Sequence, residues 1–359
     1  MTNLHLRAIV LPEFSTRDLW IADGVIVGSP PVDAVNLSDD VYYVLPGLVD
    51  AHNHIAIGVG GAIPREEQEA HAITDRNMGV LLIREVGSPA DTHWVDDRDD
   101  LPRMIRAGHH LARPKRYLPN FADEIDPEDL VANVELQAGR GDGWVKFVGD
   151  WIDRSVGDLT PLWPKEIAKA AIDRAHELGV RVTAHCFAEQ SVSELVDAGI
   201  DCIEHGTGLD AETIEKMVEK GIALVPTMTN LENFPIYAGA ATKYPLYEAH
   251  MMDLYARRFE TIGAAREAGV KIYCGTDAGS VVAHGLVPDE IELLSKIGDP
   301  MFAVGAASWR AREWLGAEGL QVGNSADLVV YDENPMTNLA VLKHPKMVIL
   351  RGKVVWQRV

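Results

Sequence analysis

Cysteine is scarce in this chain, and its count is odd. Cys186, Cys202 and Cys274 each sit in an apolar, strand-like run. They read as buried reduced thiols, which excludes a disulfide-stapled scaffold. No run of about 18 apolar residues occurs, so no membrane span is expected. The opening stretch MTNLHLRAIV has no basic segment followed by a long apolar one. A secretory leader is therefore not expected, and the cytoplasm is the expected location. Positive charge is also short: 33 Lys and Arg face 54 Asp and Glu, a net charge of −21. Phosphate binding needs clustered cations, so nucleic acid is excluded as a partner. The expected partner is a small-molecule substrate. Self-association into a homo-oligomer stays open.

What the chain does have is apolar bulk and a repeat. Its 359 residues are 47% hydrophobic, enough for one large domain and a small accessory one. In the second half a helix-like stretch ends in Gly and a short apolar strand follows. The instances are ELGVRVTAH, DAGIDCIEHG, EKGIALVPTM and EAGVKIYCGTD, with Gly179, Gly199, Gly221 and Gly269 at the helix ends. Glycine there suits a left-handed helix terminus. Alternation of this kind implies parallel strands joined by crossover helices. Tracing it through the chain places eight strands, near Val49, Ile83, Ile105, Val145, Val182, Ile203, Leu224 and Ile272. Eight strands close a TIM (β/α)8 barrel; a doubly wound open sheet is the structural alternative. Residues 1–45 and 318–359 read instead as short strands with Asp23-Gly24 and Arg351-Gly352 turns. They predict one small β-sandwich built from both termini, around a barrel domain at 46–317.

Candidate metal ligands gather at the expected strand ends. His52 and His54 in DAHNHI lie at alternate positions of the first strand, hence on one side. His185 in VTAHC and His205 in IEHGT close two consecutive strands, and Asp277 in YCGTDAG closes the eighth. Singly, each has a plainer reading as a core histidine or a capping acid; together they fall on the rim where TIM-barrel sites sit. Lys146, within WVKFV, faces either way by alternation alone. Turned inward it would be desolvated, which lowers its pKa and makes the amine nucleophilic toward carbon dioxide. The resulting carbamate is an anionic oxygen ligand. Four imidazoles and two oxygen donors suit zinc or a similar divalent ion.

At these residues the sequence resembles the amidohydrolase superfamily, in the branch of imidazolonepropionase-like and prolidase-like metal-dependent hydrolases. LPGLVDAHNH, IREVGS, AHCFAEQSVSELVDAGIDCIEHGTGLD, KIYCGTDAG and SADLVVYDENP carry the likeness over nearly the whole chain. The resemblance implies His52 and His54 on a first zinc, His185 and His205 on a second, and carbamylated Lys146 between them. It implies that Asp277 binds the first metal and serves as acid and base. The implied activity is cleavage of a small amide, such as an N-acyl amino acid or a dipeptide, by metal-activated water.

Two departures from the pattern stand out. ARPKRYLPN replaces the GGHG-type segment of prolidase-like relatives, and no Glu follows His185 by three residues as it does in deaminase relatives. A mononuclear cyclic-amide hydrolase or deaminase is the alternative, then an ester or lactone hydrolase, and last a non-catalytic barrel. For substrate contacts the expectations are Tyr237 in a long lid loop after the seventh strand, His284 in the loop after Asp277, and Arg116 for a carboxylate. Ordinary lid packing for Tyr237 and neighbouring Tyr244, a structural hydrogen bond for His284 and a solvated basic loop for Arg116 are their bland counterparts. His71, His93, His109, His110 and His250 read as surface or loop residues, and Arg84 receives no role.

Overall fold

The computed structural model describes residues 2–358. All eight expected positions lie in parallel strands: Leu48–Asn53, Val80–Glu85, Arg103–Arg106, Trp144–Val148, Arg181–Cys186, Cys202–His205, Ala223–Val225 and Lys271–Ile272. These are called the first to the eighth strand below. The third is broken. Arg103–Arg106 pairs with the second strand, the chain turns through Gly108 at φ +69°, and a separate piece, His110–Ala112, pairs with the fourth. The ladder is thereby divided into a three-stranded sheet and a seven-stranded sheet. At the other side, Ala51 N donates to Cys274 O at 2.9 Å and Asp277 N to His52 O at 2.7 Å, tying the first strand to the segment after the eighth.

The helices between strands follow the repeat. Lys165–Glu177 buries Ala168, Ala171, Ile172 and Ala175 toward the sheet. Ala211–Lys220 starts at Asp210, whose carboxylate accepts from Thr213 N at 2.8 Å. Gly179, Gly199, Gly221 and Gly269 all take positive φ at the helix ends. The stretch after the seventh strand is not a long loop. It forms helices Met228–Leu231 and Phe234–Ala240 and runs into Pro245–Ala268, because its apolar side chains Met228, Leu231, Phe234 and Ala238 have a core to enter.

The two chain ends build one mixed sheet of eight strands, from Leu4–Val10 through Lys353–Gln357. The expected sandwich is thus a single sheet with an unbroken hydrogen-bonded path. It still encloses a core because it curls: Leu6, Leu19, Ile21 and Ile26 from one end pack in the same cluster as Leu328, Met347 and Ile349 from the other. Ile26 N to Asn324 O, at 2.9 Å, holds the curl shut. The expected hairpin turns are there, with Asp23, Gly24, Arg351 and Gly352 all at positive φ.

Candidate metal centre

The first strand delivers His52 and His54 to one side, and the segment after the eighth strand brings Asp277 to meet them. The His52 and His54 Nε2 atoms are 3.2 Å apart, and Asp277 Oδ1 lies 3.1 Å and 3.2 Å from them. Three such atoms bound at about 2.0–2.1 Å to a tetrahedral zinc would be separated by about 3.3 Å. The triangle therefore fits a divalent ion. Each imidazole is fixed from behind: His52 Nδ1 donates to Glu204 Oε2 at 2.8 Å, and His54 Nδ1 to Gly87 O at 2.8 Å. With those protons spoken for, both Nε2 lone pairs point to the centre, as metal-ligating histidines require.

Backbone register makes this meeting possible. Asp50 accepts from His52 N, Thr276 N and Thr276 Oγ1 at 3.3, 2.9 and 2.6 Å, so one buried carboxylate locks the first strand to the approach of Asp277. Burial, and then Asp75, push Asp50 up to about 6. Gly275 passes so near the first strand that a Cβ would sit 2.7 Å from His52 N. His205, Thr227 and Asp277 are non-glycine residues at φ 69°, 47° and 61°, and such left-handed backbone clusters at functional sites.

His185 and His205 form a second pair, with His185 Nδ1 2.9 Å from His205 Nε2. The His52 and His205 rings are 5.2 Å apart, so both pairs share one chamber. His205 Nδ1 is held by Thr227 Oγ1 at 2.6 Å, whereas His185 Nε2 is buried with no partner. Burial lowers the pKa of both rings, that of His205 to about 3 and that of His185 well below the ordinary value, so both are neutral donors. Lys146 is fully buried on the fourth strand, beside Thr183. Burial pushes its amine down against the pull of Glu204 and Asp277. The ion pairs around the chamber join Asp277, Glu204, Arg84 and the two first-strand histidines; none includes Lys146 among the described residues.

Glu204 and Arg84 were missed as functional residues. Arg84 Nη2 donates to Glu204 Oε1 at 2.5 Å, and Thr183 also bonds that carboxylate. Burial alone would raise Glu204; Arg84 and then His52 outweigh it and hold the group ionised. The signal was legible in principle, since a charge inside an apolar strand requires a partner. Asn230 was also missed. Its amide donates to Asp277 Oδ2 at 2.8 Å, and the Tyr237 hydroxyl donates to Asn230 Oδ1 at 2.9 Å. Glu290 sets the start of that helix by accepting from Met228 N at 2.9 Å and Thr229 N at 2.7 Å.

A cavity of about 300 Å³ opens over His54, His185 and Asp277, walled by Tyr117, Trp151 and Phe187. Tyr237 lines it. Arg116 does not: its guanidinium is consumed by Asp153, Trp151 O, Thr160 O and Thr160 Oγ1 at 2.7–3.1 Å. His284 does not either; Asp75 binds its Nδ1 at 2.8 Å and His71 stacks on it at 4.0 Å. Neither expected substrate contact lines the cavity, though each keeps one buried nitrogen, Arg116 Nε and His284 Nε2, without a partner among the described residues. His110, read as a surface residue, is buried and lines the cavity 5.1 Å from the His54 ring. Tyr244 packs on the hydrophobic core.

The amidohydrolase family model matches residues 158–355. An uncharacterized protein of Mycobacterium tuberculosis is 54% identical over 98% of this chain and 95% of its own. The chain belongs to the amidohydrolase family. Ochratoxinase of Aspergillus niger is 27% identical over 62% of this chain and 47% of its own length. A Xaa-Pro dipeptidase crystal structure with methionine in its active site shares the fold, with TM-score 0.80 and 24% identity over 99% of this chain and 100% of that one.

Proposed function

We propose that the protein is a zinc-dependent hydrolase that cleaves the C–N bond of a small amide, with N-acyl amino acids and dipeptides as the first substrates to try. The convergence of His52, His54 and Asp277 within 3.2 Å carries this reading. In it, the two parallel sheets close as one barrel, joined through Ala51 and Asp277. His52, His54 and Asp277 would hold one zinc, and His185 and His205 would hold a second. The neutral Lys146 amine, by adding to carbon dioxide with formation of an N–C bond and loss of a proton, would supply a carbamate oxygen donor to them.

Bound zinc supplies Lewis acidity, lowering the pKa of water to about 7 and polarising a carbonyl oxygen. The rest is done by side chains. Burial alone would raise the Asp277 carboxyl, but in the metal-free protein His52 beside it holds it well below the carboxylate range, so the group is ionised. It accepts a proton from the attacking water and returns it to the departing nitrogen. Asn230 anchors its outer oxygen, and Tyr237 anchors Asn230, so the shuttle keeps its aim.

A one-zinc reading has its own support: the histidine pair on the second side has no carboxylate with it, and only the first set forms a complete three-ligand group among the described residues. The test is metal content by mass spectrometry together with a hydrolysis panel on zinc-loaded protein. Two zinc ions per chain and paired release of acid and amine are expected. One zinc with ring opening or ammonia release would favour the mononuclear alternative; bound zinc with no hydrolysis of any amide would overturn the proposal.

A further inference from the structure

We propose that the substrate is an uncharged aromatic amide, such as an anilide or an N-acyl arylalkylamine, and not an amide bearing a free carboxylate. The inference rests on the amide-hydrolase reading above and, within it, puts neutral amides in place of the N-acyl amino acids and dipeptides named there. At about 300 Å³, the cavity sits at the small end of small-molecule sites and suits a substrate of one or two rings.

Its walls are aromatic and interlocked. Tyr117 meets Trp151 edge-on at 4.9 Å, Phe187 meets His185 at 4.3 Å, and Phe187 is backed by Phe234 at 4.7 Å. Such surfaces favour a ring held by offset or edge contacts. The polar lining is neutral, from Asn230, Tyr237 and Ser280. Among the described residues the lining holds no lysine or arginine, and its one formal charge is the Asp277 carboxylate. Arg116, nearest in sequence to Tyr117, has four oxygen acceptors of its own. Arg113 reaches Leu162 O, and Lys115 points to solvent. A substrate carboxylate in the aromatic part would be desolvated without a cation, whereas carboxylate sites are ordinarily built on paired hydrogen bonds from arginine.

The experiment uses zinc-loaded full-length protein and a matched pair: N-acetylphenethylamine, and N-acetyl-L-phenylalanine, which adds only the carboxylate. The neutral member should show kcat/KM higher by about 10-fold or more, as expected when a charge is buried unpaired. A carboxylate substrate cleaved as well or better would overturn the proposal. Leu118 lines the cavity and is 38% exposed, so Leu118→Arg adds a guanidinium at the wall without entering the core. It should raise the ratio of kcat/KM for N-acetyl-L-phenylalanine to that for the neutral amide by about 10-fold; an unchanged or lower ratio counts against the proposal. If neither amide is cleaved, the hydrolase reading fails while calorimetric binding of the same pair still decides this one. Tighter binding of the neutral compound supports it, and tighter binding of the carboxylate overturns it.

Discussion

The two histidine pairs of the chamber are built differently. His52 and His54 come from one strand, are each fixed from behind by Glu204 or Gly87, and meet a carboxylate. His185 and His205 come from two strands, only His205 has a fixing partner, and His185 keeps a buried nitrogen without one. The first half is organised by the fold alone. The second is left with neutral donors and a buried amine, and in the proposed reading its completion would depend on chemistry added after folding. Binding strength at a metal site tracks how well the outer contacts orient the ligands, and the two halves should therefore respond unequally to damage.

The largest effect should come from the acid shared by metal and substrate. Asp277→Asn keeps one oxygen for the metal but turns its NH2 toward the Asn230 amide, which donates to Asp277 Oδ2 in the wild type, and it removes the proton acceptor; kcat should fall by about 1,000-fold, within the range for general acid–base groups. Metal content should persist. Near wild-type turnover in the metal-loaded variant would remove Asp277 from the proton path. Lys146→Ala removes the proposed bridge and should weaken the second half most, since the first keeps its three other ligands. We expect one zinc per chain to remain, activity to drop by about 100-fold or more, and a short carboxylic acid to restore part of it. Two zinc ions retained without the added acid would show that the amine is no bridge.

Glu204→Gln and Thr227→Val compare the outer contacts directly. The first leaves Arg84 buried without its counter-charge and frees the His52 ring, so zinc affinity should fall by about 100-fold; the second removes one hydroxyl acceptor, and about 10-fold is expected. Competition with a chromogenic chelator measures both. Equal losses would erase the distinction between the halves.

How much of this was visible beforehand follows from where each interaction is encoded. The strands and the histidines at their ends were legible because each sits at the end of a local apolar run, and periodicity is local information; Lys146, in the middle of its strand, could face either way by alternation. The break of the third strand at Gly108 was not, since its cause is which neighbour each piece pairs with. The Arg84–Glu204 pair spans 120 positions, and only the buried charges themselves hinted at it. His284 and Arg116 were misplaced for a related reason. Both lie in loops near the rim, but His284 is drawn away from the cavity by Asp75, 209 residues away, and Arg116 by Asp153 and Thr160. Sequence shows which side chains are available, and the fold decides which are already occupied.

The smallest expected effect concerns acid sensitivity of the zinc-free protein, and here His205 and His52 should differ in sign. Burial lowers His205 to about 3 in the folded state, against about 6.5 unfolded. The unfolded chain then binds the extra proton first, so this group's contribution to stability is full above about 6.5 and declines as pH falls toward 3. Between pH 7.5 and 5.5 the loss attributable to His205 should be about 1.4 kcal/mol, one unit below the unfolded value. His52 is opposite: burial would lower it, but Asp277 and Glu204 overcome burial and raise it above 6.5. Its contribution is present at low pH and lost as pH rises through the folded value. Urea unfolding in chelator at the two pH values, for wild type, His205→Asn and His52→Asn, checks both. His205→Asn should lose less stability on acidification than wild type and His52→Asn more. The same direction for both variants would mean that the two sides of the chamber titrate as one unit and that the asymmetry in their contacts has no energetic consequence.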